Sequence, residues 1–352
     1  MVYIPEDADK LQLTSTYAFG LADPPNLELV TPSIKEISAA FIVNLMRLKS
    51  MMTFPAYLAD FSGIIQRFHM VAEFEHCGTI KFEEQFHDGP TAKKLFTRFV
   101  ELFGEHNKKI QALAGDSEKL AAHANDMIEK GGAITVIIAG APAAINAFEF
   151  AMMSYLTSAW TLFETAAGDL WEAALNHRPY GLADLRGEKR YQRRERRRPG
   201  DESGKLEKSV RLDLIRAQDW DTKHTMGSIL RDKFAFTTLQ GIRDAYEVAF
   251  YKKADEIDNI VTDNCYDRLS ALRNVIVHKG AIADAEYVRR AKDIAGLPIL
   301  KKGEKIELNG KMVADLVHET SNSTARLIHS VDQWLVTNAI KPSQGDTDPP
   351  DG

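Results

Sequence analysis

Apolar residues recur at intervals of three and four along most of this chain, the spacing that gathers them on one face of an α-helix. The stretches "SIKEISAAFIVNLMRL" (33–48) and "AKKLFTRFVELFGEHNKKIQAL" (92–113) follow it clearly. "SEKLAAHANDMIEK" (117–130) follows it more weakly and opens on a Ser with Glu close behind, an N-terminal signature. Gly131 and Gly132 then interrupt the pattern. A long helix is expected from Ala144 to His177, stopped by "RPYG" because neither Pro nor Gly prolongs a helix. Beyond residue 208, "SVRLDLIRAQD" and "TKHTMGSILRDK" predict two short helices, 237–253 and 255–280 longer ones, and 312–339 the last. Between those last two, "KKGEKIELNG" reads as a short polar stretch with a hairpin-like turn. No fixed-period repeat is visible. The pattern predicts an all-α protein: a helical N-terminal region over 1–140, a helical domain over 141–340 and a disordered tail over 341–352.

From Gly131 to Trp160 the only charged residue is Glu149. Pro142, Asn146 and Glu149 nevertheless interrupt the run, and a membrane span needs roughly 20 uninterrupted apolar residues. The segment reads as a buried helix, with no membrane partner. A net charge of −6 excludes a chain coated in positive charge for nucleic acid, although a local basic patch stays open. One such patch exists. Eight of the thirteen residues from Arg186 to Arg198 are Arg or Lys, followed by a Pro-Gly-Asp-Glu-Ser-Gly stretch. The plain reading of 186–205 is a solvated insertion between helices. The functional reading is an RNA contact through Arg193, Arg194, Arg196, Arg197 and Arg198, with Tyr191 as a ring for stacking. Two distant cysteines, Cys77 and Cys265, give no disulfide framework and suit a reducing cytoplasm. The N-terminus lacks the basic-then-apolar layout of a secretory signal.

Most enzyme signatures are missing from the sequence: no phosphate-binding GxxxxGK[ST], no GxGxxG, no HExxH, no zinc-spaced Cys/His cluster and no GxSxG. No cofactor or metal is expected. What remains is "LRNVIVHKG" (272–280), where a guanidinium, an amide and an imidazole sit inside an apolar helical run. Ile257, Ile260, Val261, Cys265, Leu269, Leu272 and Ile276 form the expected buried stripe of the 255–280 helix. Asn274 and His278 are four apart and so share a face, and Arg273 can swing its long stem towards them. Gly280 is a natural C-terminal cap, and the negative end of the helix dipole favours a protonated His278. A histidine there is often a mere cap and an arginine a surface ion-pair partner. The same groups could also work as a general acid or base and a phosphate clamp. Trp160 and Glu164 lie one turn apart on the 144–177 helix. Trp160 reads as core, and Glu164 as a carboxylate needing a cation, for which Arg273 is a candidate.

"RNVIVH" fits the Arg-Asn-x-x-x-His motif of the HEPN superfamily (higher eukaryotes and prokaryotes nucleotide-binding). "SAWTLFETAAGDLWEAALNHRP", "GSILRDKFAFTTLQGIRDAYEVAF" and "GEKIELNGKMVADLVHETSNSTARLI" resemble the helices around that motif in HEPN ribonuclease-like proteins. The resemblance covers about residues 145 to 340. It implies a helical bundle that dimerises with two motif helices face to face, and a metal-independent endoribonuclease active through Arg273, Asn274 and His278. It also implies a role in abortive infection, toxin–antitoxin or other bacterial defence, with RNA as substrate and an antitoxin or other protein as a further partner. Many relatives are non-catalytic modules that bind RNA, a nucleotide or a protein, which is the alternative reading.

Overall fold

The computed structural model describes residues 27–80, 89–113, 116, 118–119, 122–123, 142–185, 210–250 and 254–338. Among them the chain is all-α. Its helices are α1 (Pro32–Cys77), α2 (Gly89–Leu113), α3 (Pro142–His177), α4 (Pro179–Leu182), α5 (Leu212–Arg216), α6 (Met226–Arg231), α7 (Leu239–Phe250), α8 (Asp255–Val261), α9 (Asn264–Lys279), α10 (Ala285–Ala291) and α11 (Gly310–Thr337). The one β-type contact among the described residues is an isolated antiparallel bridge between Ile282 and Lys305. No described helix is long and apolar enough to cross a membrane. The weak helix at 117–130, the basic run and the tail lie mostly or wholly outside the described residues.

Contacts divide the chain into two compact units, each assembled from separated stretches: Met1–Leu21, Lys49–Tyr155 and Glu307–Asp315 in one, Ala22–Leu48, Leu156–Ile306 and Leu316–Gly352 in the other. In the first, α1 and α2 meet through aromatic edges. Phe61 lies 5.9 Å from Phe103, and Phe68 touches both Phe99 and His106. Arg98 on α2 reaches Glu75 on α1 at 2.6 Å. The helix expected over 33–48 continues to Cys77, straight through Pro55. Proline lacks the N–H that Met51 O would receive one turn earlier. Here Tyr155 Oη donates to that carbonyl at 3.0 Å. The orphaned acceptor is satisfied, so the helix need not stop.

The second unit is organised around α3, which is capped off as expected where Tyr180 leaves helical geometry and Gly181 takes a φ of 94°. Trp171, Leu170 and Leu175 are fully buried along it. Trp171 Nε1 donates to Ala245 O at 2.9 Å, and Tyr246 Oη of α7 returns the tie to Ala167 O at 2.8 Å. Two buried rings thus lock α3 to α7 without leaving a polar atom unpaired. Gly227 opens α6 against α3 so closely that a Cβ there would fall 2.2 Å from Glu172 O, which excludes any other residue. Phe163 of α3 stacks on Tyr266 of α9 at 3.9 Å, and this contact seats the motif helix. At the far side Asp332 of α11, fully buried, accepts the N–H groups of Val30 (2.8 Å) and Thr31 (2.9 Å) ahead of α1.

Two local expectations need correction. The helix drawn over 255–280 is two helices, because Asp263 leaves helical geometry and its carboxylate accepts Cys265 N–H at 3.1 Å, starting α9 afresh. Residues 285–291, read as no element, form α10, whose N-cap Asp284 accepts Tyr287 N–H at 2.8 Å.

Candidate functional site

The motif sits on the last two turns of α9, and the helix is fixed at both ends. At its start the Asp263 carboxylate holds Cys265 N–H and receives Ser323 Oγ of α11 at 2.9 Å. Burial raises the Asp263 pKa, but these donors and the Arg326 charge outweigh it and hold the carboxyl below its ordinary value. One turn on, Asp267 takes both Nη groups of the mostly buried Arg243 at 2.8 and 2.9 Å, while Arg243 Nε donates to Val261 O. At its end Gly280 adopts the left-handed conformation (φ 58°) that the sequence anticipates, and Ala281 N–H closes back to Val275 O at 3.2 Å.

Cys265, Tyr266, Leu269, Leu272 and Val275 face the core. Burial pushes the Cys265 thiol up to about 12, so it is an inert core group. Ile276, expected in the stripe, is only half-buried, and Val275 takes its place.

The opposite side carries the motif. Asn274 and His278 are exposed one above the other, and Val277 beside them is 49% exposed. Arg273 is half-buried. Its Nη1 donates to Asn274 Oδ1 at 3.2 Å, while its Nε is shielded from solvent without a hydrogen-bond partner. All three motif residues therefore lie on the last two turns of one helix, with Arg273 bonded to Asn274. His278 has no hydrogen bond or ion pair among the described residues, so Asn274 orients the guanidinium rather than the imidazole. Arg273 and Glu164 form no ion pair. Glu164 instead lines a separate cleft of about 320 Å³ with Arg231, Phe234 and Phe236, where Arg231 is held by Asp169 (3.0 Å) and Glu172 (2.6 Å). Trp160 is buried in the core as expected.

The structure brings one further set to this end of α9 that the linear reading kept apart. Immediately after the cap, Ala281–Ala283 pairs with the turn at 301–305: Gly303 N–H donates to Ala283 O, Ala283 N–H to Glu304 O and Ile306 N–H to Ala281 O, each at 2.8 Å. The run "KKGEK" thus lies beside the helix end that carries His278. Its basic density was the available signal, and only the long-range pairing gives it a place. Arg193, Arg194, Arg196, Arg197 and Arg198 lie outside the described residues. Among the described residues no group of three or more His, Cys, Asp or Glu side chains is placed to hold a metal ion.

No family model, curated protein or solved structure matches the chain. The site has to be read from its own chemistry.

Proposed function

We propose that the chain is a metal-independent endoribonuclease of the HEPN type, acting through a homodimeric composite site in a bacterial defence or toxin-like role. The observation that carries the reading is the placing of half-buried Arg273 with exposed Asn274 and His278 on a helix whose other face is buried and whose two ends are pinned. A guanidinium suits a phosphate, and an imidazole is a common general acid or base.

In the proposed reaction a ribose 2′-hydroxyl attacks the adjacent phosphorus. One His278 accepts the hydroxyl proton as the new O–P bond forms. The bond from phosphorus to the 5′-oxygen breaks, and a second His278, from the other subunit, gives that oxygen a proton. Arg273 stabilises the charge that builds on the non-bridging oxygens. The products are a 2′,3′-cyclic phosphate, which water can open to a 3′-phosphate, and a 5′-hydroxyl. Arg193, Arg194, Arg196, Arg197 and Arg198 would draw in the RNA backbone.

One observation favours the alternative, a non-catalytic module binding RNA, a nucleotide or a protein partner: no described group orients the His278 ring. Purified protein incubated with RNA in EDTA separates the two. Cleavage leaving cyclic or 3′-phosphate ends, and lost in His278→Ala, supports the nuclease. Ends bearing 3′-hydroxyls, or activity abolished by EDTA, rule the mechanism out.

A further inference from the structure

The turn at 301–305 is exposed throughout, yet it is anchored on both sides. Three backbone hydrogen bonds tie it to Ala281–Ala283, Lys301 N–H donates to Glu304 Oε2 at 2.8 Å, and the flanking Leu297 and Ile306 are buried. It presents Lys301 and Lys302, and Lys279 adds a third exposed ammonium from the last turn of α9. Among these cations stand two uncovered aliphatic side chains, Ile282 (48% exposed) and Ile299 (81%). The distance to the motif is bounded by the chain itself. Ile282 is four positions beyond His278 and faces Lys305 across the bridge, so the two backbones lie within about 20 Å.

A pinned surface of cations around exposed aliphatic carbon suits a ligand with an anionic backbone and apolar faces. Pinning matters because a preorganised turn loses little conformational freedom on binding. We infer that Lys279, Lys301 and Lys302 hold the sugar-phosphate backbone of single-stranded RNA beside His278. This rests on the proposed reading of the site and adds to it the place where substrate is seated. These lysines are positioning residues, since they touch flanking phosphates and not the scissile one.

The test uses the full chain carrying His278→Ala, so that RNA stays intact, and a fluorescent single-stranded RNA oligonucleotide titrated across a range of salt. Adding Lys279→Gln, Lys301→Gln and Lys302→Gln should weaken binding at low salt at least tenfold and reduce the slope of log affinity against log salt by about 2, three lost phosphate contacts at single-strand stoichiometry. Lys93→Gln with Lys94→Gln, exposed on α2, should change neither. An unchanged slope, an equal loss in the α2 control, or binding to phosphatidylserine vesicles in place of RNA overturns the inference. Failure of the two ideas is separable. Wild-type cleavage with an unchanged slope removes the lysine turn alone. A reduced slope with no wild-type cleavage keeps the turn and removes the nuclease.

Discussion

His278 and Arg273 reach solvent from a helix held elsewhere, so each can be removed without opening the core. His278→Ala should fold normally by circular dichroism and lose at least about 100-fold in cleavage rate, the low end of what a positioned acid or base supplies. Arg273→Ala should be comparably inactive with weaker phosphate binding, and a variant of either residue retaining full rate contradicts the assigned roles. Asp263 provides a test by pH. Its folded carboxyl titrates below the ordinary value of about 3.9. Its contribution is therefore full above that value and is lost as pH falls through the folded one. Asp263→Asn should lower the urea midpoint at pH 7 and flatten its fall between pH 5 and 3, and parallel pH profiles would refute this. At single positions the sequence was informative where residue type dictates the chemistry, as with Gly280 as the cap and Arg273, Asn274 and His278 as the polar cluster. It was uninformative about partners. Glu164 lines a cleft with Arg231 and does not pair with Arg273, and the packing of α6 on α3 that makes this cleft has no local signature.

Helical periodicity located α2, α3, α7 and α11 and the first part of α1. It carried one helix across Thr262 and Asp263, since both flanks are apolar at helical spacing and only the cap geometry reveals the restart. It passed over α10, which is seven residues long, too short for a periodic signal. Pro55 lies inside α1, where the usual cost of an internal proline is offset by a hydroxyl about 100 residues away in sequence. Tyr155→Phe should therefore destabilise the first unit by about 1 kcal/mol, the net worth of a hydrogen bond, plus the cost of an unmet carbonyl. A midpoint unchanged from wild type in denaturant unfolding would show that Met51 O finds water instead.

The division into two units was not legible, since α1 and α3 each contribute residues to both and no composition shift marks the change. The assembly is likewise a matter of the whole molecule. One chain offers one imidazole and one guanidinium at the motif, whereas metal-free transfer at phosphorus calls for an acid and a base together. In the proposed composite site an isologous two-fold near His278 would supply the second copy of each, with Asn274 and Ile276 near their own mates. Sedimentation should accordingly show a homodimer, in His278→Ala as in wild type. The account stands or falls on subunit mixing in EDTA: wild type is combined with increasing His278→Ala under exchange, and RNA cleavage is followed against the mixing ratio. A composite site predicts activity falling with the square of the wild-type fraction. Loss strictly proportional to dilution, or full activity from a monomer, would contradict it.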